Sequence, residues 1–216
     1  MIQINKDTKM YGSFSQNPGS KGCEFFNKKF EENQINAIYK SFASKDIFSS
    51  INSAKILNFS GCAIAMPFKT DAFNIVDNKD NSAILSNSVN TIIFENNLIY
   101  GFNTDYFAAI DVISKYKTKE YKYIYVYGIG GLGKAVCAAL RSSNLEFIEV
   151  NRNNSYLLNN IENSFVFNCT PIDLIINTNN FLFDCRVTTD TGEYFRVIQA
   201  EKQFELYMGV YMKTIS

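Results

Sequence analysis

Residues 128–133 read GIGGLG, placing glycines at 128, 130 and 133 in the pattern G-x-G-x-x-G. The run YIYVY at 123–127 precedes it and has the character of a strand. A helical stretch follows, with Leu132, Ala135, Val136, Ala139 and Leu140 on one face. These flanks give the pattern its chemistry. One glycine permits the tight turn, one lets backbone approach a pyrophosphate, and one lets the helix pack close to the strand. The helix N-terminus then offers unpaired N–H groups and a partial positive charge to an anion. We therefore expect Gly128, Gly130, Gly131 and Gly133 to cradle a dinucleotide. Taken without its flanks, the same pattern would fit a glycine-rich turn in any α/β domain.

The next strand, at 147–150, refines the choice of cofactor. An Asp or Glu at its end would hold a ribose 2′-hydroxyl. Asn151 and Arg152 stand there instead. A guanidinium is planar and always charged, which suits a 2′-phosphate, so NADP is expected. A surface arginine is the plainer alternative. Glu149 competes for the ribose, but it belongs to the strand itself.

Proton transfer is more constrained. The chain has no histidine, so His-based triads and the usual zinc sites are excluded and no metal is expected. Lys, Asp, Glu, Tyr or Cys must carry any acid–base work. Lys69 lies two residues after Pro67, which closes a buried strand, and Asp105 lies where a hairpin turns into a helix. Both fall at ends of elements, where open α/β sheets bind ligands. Each also has an ordinary explanation: Lys69 as a solvated lysine at a helix start, Asp105 as a first-turn acid facing the helix dipole.

The elements that must position these groups alternate in type, which predicts an α/β protein. Strands are expected at 36–42 and 61–67, with a helix over 46–57 between them. FKTDAFNIVD begins another helix. Two apolar runs around Asn96-Asn97 read as a hairpin. A helix over 104–116 places Tyr106, Ala109, Ile110, Ile113 and Tyr116 on one face, and the polar KTKE after it reads as a linker. Beyond the glycine turn come the strand 147–150, a strand over 165–168 and a last helix over 193–208. That helix is expected to carry Val197, Ala200, Phe204 and Met208 on one side.

The chain has 216 residues, 46% of them apolar, enough to bury a core. Its formal charge is zero, which argues against nucleic acid as a partner. No apolar run is long enough to span a bilayer, and the first residues lack the pattern of a secretory signal. A small molecule is the expected partner and the cytoplasm the expected location. The five cysteines, an odd number with no C-x-x-C spacing, are expected to be reduced and mostly buried.

Three blocks in order, SGCAIAMPFKTDAF, SNSVNTIIFENNLIYGFNTDYFAAI and YVYGIGGLGKAV, resemble the signature blocks of shikimate dehydrogenases. The likeness is greatest to a shikimate-dehydrogenase-like subgroup carrying G-C-A-x-x-M-P-F-K. NPGSKGCEFFNKKF is similar to that family's first substrate-binding segment, and TGEYFRVIQAEKQFELY to its closing helix. The resemblance implies an N-terminal substrate-binding α/β domain over 1–105 and a shortened Rossmann-type parallel-sheet domain over 106–192. It implies a closing helix, 193–216, that returns to the first domain. Lys69 would be the general acid/base and Asp105 its partner. Ser20, Asn90 and Gln199 would contact substrate. Asn151 and Arg152 would hold the 2′-phosphate, with Thr170 and Gly192 near the nicotinamide. The implied reaction is reversible hydride transfer between NADPH and the ring ketone of 3-dehydroshikimate or a related cyclic polyol acid, on the route to chorismate and the aromatic amino acids, by a monomer or homodimer. Quinate or another ring substrate is an alternative, as is a ligand-binding descendant without catalysis.

The chain also departs from the family pattern. Gly22 replaces the second serine of the substrate motif, Ala65 a threonine, and Asp173 a glycine. The second domain is trimmed, and Val187 or a neighbour stands where a tyrosine is expected.

Overall fold

A computed structural model of the chain describes residues 4–210. The contacts divide it into two compact units. The first runs to Asn103 and takes up the chain again from Ala200; the second is Thr104–Gln199.

The first unit contains β1 (Lys9–Ser15), α1 (Lys21–Glu32), β2 (Ala37–Ala43), α2 (Ile47–Ile56), β3 (Phe59–Ile64), α3 (Lys69–Ile75), β4 (Asn78–Lys79), α4 (Asn81–Ser86), β5 (Thr91–Glu95) and β6 (Leu98–Phe102). They build a six-stranded sheet in the order β2-β1-β3-β5-β6-β4. β1, β2 and β3 run parallel, and β5 is antiparallel to β3 and to β6. The β5–β6 hairpin turns at Asn96 and Asn97, both left-handed, with φ of 49° and 62°. Asparagine tolerates that region, and a two-residue turn of this hand matches strand twist. One core cluster gathers Ile51, Ile64, Ala72 and Val89. A second gathers Tyr11, Phe26, Phe30 and Tyr39 with Ala200 and Tyr207.

One expectation is corrected in this unit. The strand expected over 61–67 occupies 59–64 and stops before the proline. β1 and α1 carried no recognised signal. A glycine inside a strand weakens its pattern, and Gly12 sits there because a Cβ would come within 2.8 Å of the Lys40 carbonyl oxygen of the neighbouring strand.

The second unit contains α5 (Thr104–Lys115), β7 (Tyr123–Tyr127), α6 (Gly131–Ser142), β8 (Ile148–Val150), β9 (Ser164–Asn168), β10 (Phe181–Asp184) and the first part of α7 (Asp190–Tyr207). Its four strands are all parallel, in the order β10-β9-β7-β8. This is the Rossmann-type arrangement in shortened form.

The KTKE run is not a linker. Its residues 118–120 form a 3-10 turn with Thr118 fully buried, and the division of the chain falls ahead of α5, between Asn103 and Thr104. The reason is packing: α5 buries Ala108, Ala109, Val112 and Ile113 in the same cluster as Val136 and Leu140 of α6. That stripe is rotated from the expected one, and Tyr106, Ile110 and Tyr116 are only partly buried. Asp105, expected at the end of the first domain, falls in the second unit. β10 carried no recognised signal as a strand. α7 begins at Asp190, ahead of the expected start, and buries Phe195, Ala200, Gln203, Leu206 and Tyr207; of the expected side, Ala200 is buried and Phe204 and Met208 pack partly buried against the core. Residues 211–216, assigned to the closing helix from sequence, lie outside the described residues. Only Cys62 and Cys137 of the five cysteines are buried; the other three are half-buried. Among the described residues, no helix is long and apolar enough to cross a membrane.

Candidate functional site

In the first unit the parallel strands deliver their C-terminal ends to one edge, the usual ligand edge of an open α/β sheet. Lys69 opens α3 just past the end of β3. Its carbonyl accepts from Val89 N–H at 2.8 Å, and the Asn90 carbonyl accepts from Ile64 N–H at 2.7 Å. These bonds bring Lys69 and Asn90 together beside the start of β5. Asn90 is buried, and its Oδ1 accepts from the Thr91 hydroxyl at 2.8 Å. Thr91 Oγ1 accepts in turn from Gln203 Nε2 at 2.7 Å. Gln203, only 2% exposed, thus helps to orient the Asn90 carboxamide. Sequence reasoning missed it. A glutamine on the buried side of α7 was the available signal.

A second polar cluster supports the N-T-D segment. Asn103 is fully buried and donates through Nδ2 to Ser86 Oγ at 2.8 Å and Ser88 Oγ at 2.7 Å. Its N–H donates to Ser82 Oγ at 2.8 Å, and Ser82 donates to Asp80 at 2.6 Å. Burial raises the Asp80 carboxyl, against the hydrogen bonds from Ser82 and Ala83. Asn103 fixes the backbone just before Thr104 and Asp105, and sequence reasoning passed over it.

Ser20 precedes α1, is exposed, and makes no side-chain capping bond. Gly22 has a packing reason to lack a side chain: a Cβ would stand 3.3 Å from the Tyr39 ring.

In the second unit the glycine turn joins β7 to α6. Gly128 has φ +93°, and a Cβ there would meet the Thr170 methyl at 2.4 Å. At Gly133 a Cβ would meet the Gly128 carbonyl oxygen at 1.9 Å. Both glycines are demanded by the protein's own packing. Gly130 differs, since a Cβ there would meet nothing within 4 Å. The cradle lies open at that point, above the N-terminus of α6, and Gly131 is the first residue of that helix. An incoming pyrophosphate fits such a turn.

Thr170 is held by Asn168, whose Oδ1 accepts from Thr170 N–H at 3.1 Å and from its hydroxyl at 2.7 Å. Behind Asn168 lies Asp184, which is clamped by Arg186. Arg186 Nε lies 2.9 Å and Nη2 2.7 Å from Asp184 Oδ2, and Nη2 also reaches Asp173 at 2.7 Å. Burial alone would raise the Asp184 carboxyl, but the bonds from Arg186 and Asn168 hold it below the usual carboxylate range. Asp173 therefore gives Arg186 a partner that a glycine at this position could not supply.

Asn151 and Arg152 follow β8 and are exposed. Asn151 shapes its own loop, with Oδ1 accepting from Asn153 N–H at 2.8 Å. Glu149, the rival for the ribose, is paired with Arg141 at 2.7 Å. Asp105 is buried in the first turn of α5, near enough to Cys169 for its charge to raise that thiol. The Thr104 hydroxyl donates to Gln199 Oε1 at 3.2 Å. Gly192 has a structural reason to be glycine, since a Cβ would meet the Arg186 carbonyl oxygen at 1.8 Å. Among the described residues, no group of His, Cys, Asp or Glu is arranged to hold a metal ion.

Comparison with known proteins accords with this geometry. Residues 18–92 match the family model described as the shikimate dehydrogenase substrate binding domain. A shikimate dehydrogenase-like protein of Haemophilus influenzae is 37% identical over 147 residues, covering 68% of this chain and 54% of that protein. The NADP(+) shikimate dehydrogenase of Sulfolobus acidocaldarius is 30% identical over 188 residues, covering 82% of this chain and 70% of that protein. A solved structure of a shikimate 5-dehydrogenase-like protein superposes with a TM-score of 0.80 at 30% identity, covering 95% of this chain and 93% of that one. The chain spans about half the length of the first curated relatives it matches, 54% and 53%. With the sheet order, the glycine turn and these likenesses in agreement, the chain belongs to the shikimate dehydrogenase family.

Proposed function

We propose that this chain is an NADP-dependent oxidoreductase acting reversibly on the ring ketone of 3-dehydroshikimate or a related cyclic polyol acid. The carrying observation is the turn Gly128–Gly133, where two glycines are required by packing while Gly130 is open toward a ligand. The residues after β8 support NADP over NAD, because an exposed guanidinium stands there and the nearest carboxylate is already paired. The nicotinamide, when bound, supplies or accepts the hydride. Dinucleotide binding is assigned to the second unit.

The chain's own residues have these roles. Lys69 gives a proton to the developing alkoxide during reduction and takes one from the hydroxyl during oxidation. Asp105 accepts from a neighbouring ring hydroxyl. Asn90 and Gln199 bind ring hydroxyls, and Ser20 the carboxylate end. Arg152 and Asn151 bind the 2′-phosphate, and Thr170 with Gly192 borders the nicotinamide. The losses at Gly22 and Ala65 change which polar groups of a substrate find partners, which supports a ring related to shikimate as an alternative.

The test is a direct assay with shikimate or quinate and NADP or NAD, following absorbance of the reduced nicotinamide. Lys69→Ala should lower turnover about a thousand-fold with little change in substrate affinity. Turnover near that of the unchanged protein would remove Lys69 from the mechanism. A second reading, ligand binding without turnover, draws on the thin cover over one face of the second unit's sheet. Tight NADP binding with no reaction on either acid would favour it.

A further inference from the structure

We propose that Cys169 and Cys185 form a reversible thiol–disulfide pair whose oxidation restrains the glycine turn. The cofactor consequence rests on the reading of that turn as the NADP site; the disulfide does not.

The geometry comes from the ends of two paired strands. β9 and β10 run parallel, with Phe167 opposite Phe183 and Asn168 opposite Asp184. The register continues one step further, because Cys185 N–H donates to the Asn168 carbonyl at 3.0 Å. Cys169 and Cys185 are therefore neighbours across the pair. Adjacent strands lie about 4.8 Å apart, inside the roughly 4.4–6.8 Å Cα separation that a disulfide spans. Alternation puts Cys169 on the side of Phe165 and Phe167, and Cys185 on the side of Phe181 and Phe183. Both cysteines pack against that one cluster. Both residues are half-buried.

The chemistry favours this pair over the remaining cysteines. The Cys169 thiol is hydrogen-bonded to Cys185, which together with burial pushes its pKa well up. The two sulfurs therefore face one another, as a disulfide requires. Cys137 is buried, with its thiol pushed up to about 12, and Cys62 is fully buried and also raised. Cys23 is hydrogen-bonded with Ser41. With hydrogen peroxide as oxidant, the Cys185 sulfur attacks one oxygen, the O–O bond breaks, and a sulfenic acid and one water form. The Cys169 sulfur then attacks the Cys185 sulfur, the S–O bond breaks, and the Cys169 proton leaves in a second water. Two thiols and one peroxide give one disulfide and two waters, and a dithiol reverses the change.

Cys169 also lies directly under the turn. Its N–H donates to the Tyr127 carbonyl at 2.8 Å. A Cβ at Gly133 would be 3.7 Å from the Cys169 Cβ, and one at Gly128 would be 3.3 Å from its carbonyl carbon. Tying Cys169 to β10 therefore acts on the backbone that holds Gly128 to Gly133.

The test uses the full chain, treated with hydrogen peroxide, alkylated, and mapped by mass spectrometry without reduction. We expect a 169–185 cross-link that dithiothreitol removes. We also expect amide exchange over 128–134 to slow by about fivefold, and NADPH affinity to change by about fivefold. Cys185→Ser and Cys169→Ser should each abolish the cross-link and the peroxide response, while Cys23→Ser keeps both. A cross-link elsewhere, or none at peroxide levels that oxidise Cys23, would overturn the proposal. So would a 169–185 cross-link that leaves exchange over 128–134 unchanged. If the reduced chain binds no NADPH, the functional reading fails, and the exchange measurement still decides the fate of the pair.

Discussion

The first unit lays α-helices on both faces of its sheet. One cluster lies under α2, α3 and α4, and the other under α1 and the end of α7. The second unit does so on one face alone. Residues of α5, α6 and the start of α7 share a cluster with Val126, Phe165, Phe167 and Phe183. The opposite face offers Tyr125, Tyr127, Val150 and Val166, and among the described residues it packs with Leu158, Ile161, Leu174, Ile176 and the edge residue Leu182. Its cover is a 3-10 turn at Ser155–Leu158 and extended loop. Parallel sheets are normally covered on both sides. The shortening noted in the sequence is thus a loss of one covering layer, while the layer carrying the glycine turn is kept. A layer of loop buries less apolar area per residue, so the comparison predicts unequal costs for equal damage.

The largest effect should come from the helix-covered face of the first unit. Phe30 is fully buried, and Phe30→Ala should cost about 4 kcal/mol in denaturant unfolding. Leu158→Ala on the thin face should cost about 2 kcal/mol, at the low end for its type, because loop can collapse into the space. Equal losses at the two positions would break the comparison.

The glycine turn sharpens it. Gly133→Ala places a Cβ 1.9 Å from the Gly128 carbonyl oxygen and should cost about 3 kcal/mol. Gly130→Ala, in open space, should leave the melting temperature unchanged and weaken dinucleotide binding. Destabilisation by Gly130→Ala would mean that the opening belongs to the fold and not to a ligand.

Asp184→Asn probes the clamp between the loops after β9 and β10. It should cost about 2 kcal/mol near neutral pH, the worth of hydrogen bonds to a charged group. The native carboxyl is held below its unfolded value, so its contribution is complete above about pH 4 and is lost as pH falls through the lowered native value. Unfolding measured against pH should show the gap between the two proteins closing in acid. A gap that widens in acid would reverse the sign and refute the clamp.

The smallest effect belongs to Ile175, which is 92% exposed beside the thin face. Ile175→Ser should change stability by less than about 0.5 kcal/mol. A larger loss would show that something covers that face in solution.

Much of this arrangement could be read from local patterns. The glycine turn with its flanks, the Asn96-Asn97 hairpin and the apolar face of α6 are each specified within a few residues, because turn sterics and helical period act at short range. The same holds for Lys69 as a residue opening a helix soon after a buried strand. β1 was harder to see because Gly12 answers to the neighbouring strand and not to its own neighbours in sequence.

What long-range packing decided was different in kind. The backing of Asn90 by Thr91 and Gln203 joins positions 112 residues apart. The clamp on Asp184 depends on Asp173 and Arg186 meeting across two loops. The boundary ahead of α5 follows from which core its buried stripe joins, a choice that periodicity leaves open because more than one face of the helix is apolar. Burial and partnership are properties of what surrounds a residue, and only the closed chain brings those surroundings together.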